Sequence, residues 1–272
     1  MSIKSILLHV DATSAAVGRL QVALRLAHRL DARLTAAFGA SWDDRASFAY
    51  SAAAALEGES GHAAAHRAAL DRLRRHPGVD AVAVAWCDIV GEAITPGFVA
   101  EAVYADLLIV GQQARVAEPG SPPPGFAESA ILQSGRPALV VPAAFRHVDV
   151  ARSALVAWNG SMPSVRALSG ALPLLQAAEH VHVVSWTRHA PLAPFSRIDV
   201  GEYLARHGVR AEIHGQAPSA NVGGALAAMA RELSSDLIVM GCYGHSRATE
   251  RVFGGTSRSI LATTDVPVLM AH

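Results

Sequence analysis

Residues 241–257 read Gly-Cys-Tyr-Gly-His-Ser-Arg-Ala-Thr-Glu-Arg-Val-Phe-Gly-Gly-Thr-Ser and follow directly on the apolar run Asp236–Met240. Glycines stand at 241, 244, 254 and 255, with hydroxyls at Thr256 and Ser257. A strand that empties into such a loop and then into a helix start suits an anion. Glycine lets the backbone approach closely, and the first amides of a helix lack intrahelical partners. The ligand class this suggests is a phosphate-bearing nucleotide. Glycines after a strand also build ordinary tight turns, which is the competing reading.

The elements that must position this loop occur twice. At a shift of 130, Asp106–Gly111 superimposes on Asp236–Gly241, and Arg136–Val141 on Val266–Ala271. Near the starts the shift is 148, pairing Ser5–Asp11 with Ser153–Asn159. The first copy thus holds 18 more residues, most simply within 41–61. Two copies of one unit follow, 1–147 and 148–272, joined near Phe145–Val150.

Each copy alternates strand and helix signals. Strands are expected at Ile6–Val10, Leu34–Phe38, Ala81–Trp86, Leu107–Val110 and Leu139–Val141, then at Leu155–Trp158, Val181–Trp186, Ala211–His214, Leu237–Met240 and Val266–Met270. Val17, Leu20, Leu24 and Ala27 recur at helical spacing behind Ser14 as N-cap, and Val165, Leu168, Leu172 and Leu175 behind Ser161 and Pro163. Strands apolar throughout and separated by helices imply parallel sheets covered on both faces. The expected fold is α/β: two tandem doubly wound, Rossmann-like domains, each a mainly parallel five-stranded sheet.

Composition excludes several classes. Lys+Arg and Asp+Glu are both 23, which gives no electrostatic case for nucleic acid or an anionic membrane. No apolar run reaches the roughly 18–20 residues of a span. The chain enters its first strand at once without a signal-peptide pattern, and its only cysteines are Cys87 and Cys242, so a cytoplasmic protein is expected.

The spacing Gly241, two residues, Gly244, nine residues, Gly254, then a small residue, set between a strand and the last helix and strand, resembles the ATP-binding motif of the universal stress proteins. The resemblance extends over the chain as a tandem of two such domains, and Val156–Ser161 resembles the family's first-strand exit. It implies an ATP-binding stress-response or signalling module. Ala157, Trp158 and Asn159 would meet adenine and ribose. Val184 and Ser185 would cover the base, and Met240 would lie beside base or sugar. Gly241, Gly244, Gly254 and the small residues after it, Gly255, Thr256 and Ser257, would surround the phosphates. Two departures bear on this. Asn159 stands where the family usually has Asp, which puts any magnesium contact in doubt, and Gly255 stands where a Ser or Thr usually follows the third glycine.

Copy one lacks the loop. Gly244 becomes Ala114, Gly254 becomes Pro124, Thr256 becomes Phe126 and Ser257 becomes Ala127. Pro122, Pro123 and Pro124 offer no N–H, and Phe126 fills space where phosphate would sit. Asp11 is kept, and reads alone as surface or turn chemistry. Nucleotide is therefore expected in the second copy only.

Other chemistry is weakly signalled. Of 13 histidines, His62 and His66 come nearest to a metal pair, His180 and His182 share a strand face, and His245 lies inside the glycine loop, where it meets phosphate or simply solvent. Cys242 reads as a small packed residue or a thiol activated by Arg247 or Arg251. Those arginines and Arg258 either face the phosphates or are solvated. No nucleophile–base pair or carboxylate pair is present, so little or no hydrolysis is expected. The alternatives are a nucleotide-free scaffold with a relic loop and, more weakly, an adenine-nucleotide-dependent enzyme. Each copy ends in an apolar strand that would be a sheet edge, Ala138–Pro142 and Val266–Ala271. Pairing them inside one chain makes a built-in dimer through Leu139–Val141 and Val268–Met270 and leaves association of whole chains open.

Overall fold

The structure, a computed structural model, describes residues 2–39, 60–89, 94–114, 118–147, 149–185, 199–216, 221–242 and 255–272. Its first half runs β1 (Ser5–Val10), α1 (Ala16–Leu30), β2 (Arg33–Phe38), α2 (Ser60–Arg74), α3 (Val79–Val82), β3 (Ala85–Asp88), α4 (Ile94–Glu101), β4 (Leu107–Gly111), α5 (Phe126–Ser134) and β5 (Ala138–Val141). The second half repeats the scheme: β6 (Ser153–Ala157), α6 (Met162–Leu175), β7 (His180–Ser185), α7 (Val200–Arg206), β8 (Glu212–Gly215), α8 (Val222–Glu232), β9 (Leu237–Gly241), α9 (Thr256–Thr263) and β10 (Val268–Ala271). The inserted stretch of the first half falls between β2 and α2, mostly outside the described residues.

Ten strands form one sheet in the order β3-β2-β1-β4-β5-β10-β9-β6-β7-β8. Each half has the doubly wound order 3-2-1-4-5, and every pairing is parallel except one. The exception is β5 against β10, antiparallel, with Leu139 opposite Leu269 and Val140 opposite Val268. This is the pairing expected from the two terminal strands. It makes one sheet of two, because the apolar edge of each half is covered by the other.

Strand alternation sends successive side chains to opposite faces, and helices cover both. Ile6, Leu8, Val10, Leu155's neighbours Ala154 and Val156, and Leu269 face the layer holding α1 and α6. Leu7, Leu108, Val110, Leu155, Ile238 and Met270 face the layer of α4, α5, α8 and α9. Burying such strands on both sides is why their sequences are apolar without alternation.

Three local expectations are corrected. Ala81 and Val82 lie in the short helix α3, not in a strand. Gly78 enters it at φ 97° and Ala83 leaves it at φ 52°, so the chain reaches register with β2 only at Ala85, opposite Thr35. Ser14 does not cap α1: the capping position is Ala15, and the Ser14 amide and hydroxyl both donate to Glu118. Val165 is exposed, and the buried stripe of α6 runs through Ala167, Leu168, Ala171, Leu172 and Leu175. Ser161, by contrast, does cap α6, its hydroxyl accepting from the Ser164 amide at 3.4 Å, with Pro163 in the first turn.

Candidate functional site

In the second half the chain leaves β6 for β7 on one side and returns through β9 on the other. A crevice outside the carboxyl ends of strands at such a reversal is where doubly wound sheets bind ligands. Register brings three sequence-predicted residues into one row: Ala157 stands opposite Val184 on one flank and Met240 on the other. Val184 and Met240 are buried and wall the base of the crevice. Ala157, Trp158 and Ser185 are half-buried and Asn159 is exposed, so these are the groups that open to solvent at the strand ends. The Trp158 amide donates to the Val184 carbonyl at 2.8 Å, which fixes the exit of β6 against β7.

Asn159 organises the turn into α6. Its Oδ1 accepts from the Ser161 amide at 3.0 Å, and the Ser164 hydroxyl donates to the Ser161 carbonyl at 2.8 Å. Gly241 closes the crevice from β9. A β-carbon there would run into the Ser164 amide nitrogen and the backbone of Pro163, so glycine is required by this close approach.

Across the crevice the loop returns at Gly255, the residue before α9, in extended conformation (φ −53°, ψ 141°) with no side-chain cap. Thr256 and Ser257 form the first turn of α9, Ser257 buried and Thr256 half-buried. Gly244, His245 and Gly254, with Arg247 and Arg251, lie outside the described residues. Cys242 is buried, with its thiol donating to the Ala271 carbonyl at 3.3 Å; this makes it a packed residue. The amides at the start of α9 suit an anion, and the row at the strand ends offers an apolar floor to a base. Among the described residues of the crevice there is no carboxylate, so this part of the site does not fit a magnesium ion.

The corresponding corner of the first half carries larger side chains and keeps a cleft beside them. His9 takes the place of Ala157, Phe126 that of Thr256 and Arg19 that of Ala167. The imidazole of His9 is completely buried, 4.3 Å from the Phe126 ring and 5.6 Å from that of Phe98 between centroids. Arg19 donates from Nη2 to Asp11 Oδ2 at 2.7 Å and from Nε to the His9 carbonyl at 2.8 Å; its side chain is 4% and that of Asp11 2% exposed. Its guanidinium lies where a β-carbon on Gly111 would be, so the first half's glycine makes room for an internal cation. Asp11, expected as surface or turn chemistry, is a turn residue, its Oδ1 accepting from the Thr13 amide, and it is buried as an ion-pair partner rather than at the surface. The cleft beside it is lined by Thr13, Gln112, Gln113, Glu118 and Pro122, with Arg19 in it.

Electrostatics follow from burial. For His9, burial dominates and lowers its pKa to about 4; Asp11 and the Gly39 carbonyl oppose this, while Arg19 adds to it. Burial pushes the Asp11 carboxyl up, but Arg19, His9 and hydrogen bonds from Thr13 outweigh it and hold it below the usual carboxylate range. The Asp11–Thr13 contact (3.0 Å from the amide) repeats the Asn159–Ser161 turn. A carboxylate serves where Arg19 neutralises it, and a neutral carboxamide where Ala167 supplies no charge. Sequence reasoning missed His9 and Arg19. The available signal was a cation eight residues after Asp11 on the buried stripe of α1.

Residues 151–272 match the model of the Universal stress protein family. A universal stress protein of Synechocystis sp. is 28% identical over 171 residues, which are 60% of this chain and 57% of that protein, so the chain spans little more than half of that relative's length. Among solved structures, a universal stress protein from Archaeoglobus fulgidus superimposes with a TM-score of 0.67 at 17% identity, covering 99% of this chain and 96% of that one. A functionally unknown protein from Pseudomonas aeruginosa gives a TM-score of 0.59 at 17% identity over 98% and 92%. Residues 151–272 are thus a universal stress protein match by sequence, and the chain as a whole has the Rossmann-like universal stress protein fold.

Proposed function

We propose that the second half, residues 148–272, binds one adenine nucleotide, ATP, and that the chain works as a stress-response or signalling module in which occupancy matters more than turnover. The observation that carries this is the contrast between two equivalent corners of one sheet. In the second half the small residues Ala157, Ala167 and Thr256 stand where the first half carries the larger His9, Arg19 and Phe126. Adenine would rest at Ala157–Asn159 and Val184–Ser185 beside Met240, with phosphates at Gly241, Gly244, His245 and Gly254–Ser257. The sequence of 241–257 and its run into the N-terminus of α9, where Gly255 provides no side-chain cap, support the phosphate end. Hydrolysis is slow or absent on this reading, because no base or charge-stabilising pair faces the crevice among the described residues.

The experiment is calorimetric titration of the full chain with ATP. A stoichiometry near one is expected; near two removes the asymmetry, and no heat with no detectable retention removes the reading. Gly244→Trp should abolish binding. Phosphate release at the roughly 1 per second or more of ordinary enzymes would show that a catalytic group is present.

A nucleotide-free scaffold with a relic loop is the second reading. It is favoured by Asn159, whose Oδ1 is already engaged in the turn, and by the missing hydroxyl at Gly255. Mass spectrometry of small molecules released from purified protein separates the two.

A further inference from the structure

On β7 and β8, away from the glycine loop, three potential metal ligands converge. Parallel register sets His182 directly opposite Glu212, and the two-residue repeat of β8 brings His214 to the same face. His182 Nδ1 lies 3.2 Å from His214 Nε2 and 3.4 Å from Glu212 Oε2, and His214 Nε2 lies 4.0 Å from the same oxygen. Among the described residues this is the group of three whose donor atoms all fall within 4.8 Å of one another.

These separations have a geometric consequence. The nearest point equidistant from the three atoms, in their common plane, lies about 2.1 Å from each, which is within the range of zinc–imidazole and zinc–carboxylate bonds. Like-for-like hydrogen bonding accounts for less of the arrangement. A neutral imidazole pair needs one donor and one acceptor at 3.2 Å, but it does not require a carboxylate oxygen to face both nitrogens. Two imidazole nitrogens and one carboxylate oxygen select borderline ions such as zinc over magnesium or calcium, which prefer oxygen shells.

We propose that His182, His214 and Glu212 bind one zinc-class divalent ion, with the fourth coordination position left to water or an exogenous ligand. His182 is buried and fixed by β7, whereas His214 is partly exposed and Glu212 well exposed, so the ion enters from the Glu212 side. Because β8 is the last strand of the sheet and only four residues long, the ion ties an edge strand to its neighbour.

The test is titration of chelator-treated full chain with zinc chloride, followed by calorimetry and by thermal unfolding, with cobalt chloride as the visible-absorption probe. Wild type should take up one zinc per chain with a dissociation constant of about 10 μM or tighter and should unfold at higher temperature when zinc is added. His214→Ala should weaken binding at least roughly tenfold and abolish the thermal shift. Glu212→Gln, at a well-exposed position, should weaken binding severalfold and change the cobalt spectrum. No uptake by wild type at about 100 μM zinc overturns the proposal. So does uptake that is equal in wild type, His214→Ala and Glu212→Gln, since the ion would then sit on other histidines.

Discussion

Arg19 and Gly111 share one volume: the guanidinium of the first occupies the space into which any side chain on the second would project. The pair explains why the first half keeps a glycine at the end of β4 without keeping the glycine-rich sequence that follows its counterpart, Gly241. The glycine accommodates a buried cation, and the cation neutralises Asp11.

Removing that cation should be expensive. Arg19→Met leaves the Asp11 carboxylate buried without its partner, and the expected loss is about 3–5 kcal/mol. Adding Asp11→Asn, which installs the residue found at 159, should recover most of it, because the carboxamide keeps the Thr13 turn without a charge. Denaturant midpoints of the two variants check this; equal instability of single and double variants would mean that Arg19 acts through packing alone.

His9 predicts an acid-sensitive native state. Its folded pKa of about 4 lies below the ordinary value of 6.5, so between these values the unfolded chain binds a proton that the native chain refuses. Stability is therefore full above about pH 6.5 and falls as pH drops toward 4, by about 3 kcal/mol from this residue. Asp11, held low, adds a further loss at still lower pH. His9→Phe should flatten the upper part of this dependence in unfolding experiments run from pH 7 to 4.5.

Much of this architecture was legible in the sequence, and the misses share a cause. Apolar runs such as Leu107–Val110 and Leu237–Met240 identify central strands because both faces are buried, and the two terminal runs announce their own pairing. Ala81–Trp86 misled because an apolar stretch does not reveal the left-handed turns at Gly78 and Ala83 that bend it into α3. At the candidate site, the row Val184–Ala157–Met240 could be inferred from resemblance, since each residue lies at or one before the end of a strand. His9 could not, because its burial is specified by Phe98 and Phe126, distant in sequence, and Arg19 was signalled only by its spacing from Asp11, its fit against Gly111 lying far along the chain.

Gly241 should be intolerant of even a methyl group. Gly241→Ala would press on the backbone of Pro163 and Ser164, which cannot rotate aside, and should cost about 1–3 kcal/mol. Gly215→Ala, where nothing lies within 4 Å of the added carbon, should stay within about 0.5 kcal/mol of the parent. Paired thermal melts decide the matter, and equal behaviour of the two variants would mean that α6 moves freely at its start.

The strand pairing β5–β10 makes a prediction about fragments. Expressed alone, residues 150–272 expose the β10 edge that Leu139 and Val140 normally cover. The fragment should therefore self-associate, with a solution mass of twice its own or more. A well-behaved monomer by light scattering would show that the edge is harmless without its partner.

That same pairing has an evolutionary reading. Where two identical subunits meet, every substitution is made on both sides, and a filled pocket in one is a filled pocket in the other. Joining the two five-stranded halves in one chain removes this constraint. His9, Arg19 and Phe126 can occupy one corner while the smaller Ala157, Ala167 and Thr256 stand in the other. On the proposed reading, the first half then serves as a permanent, dilution-proof partner for a nucleotide-binding second half.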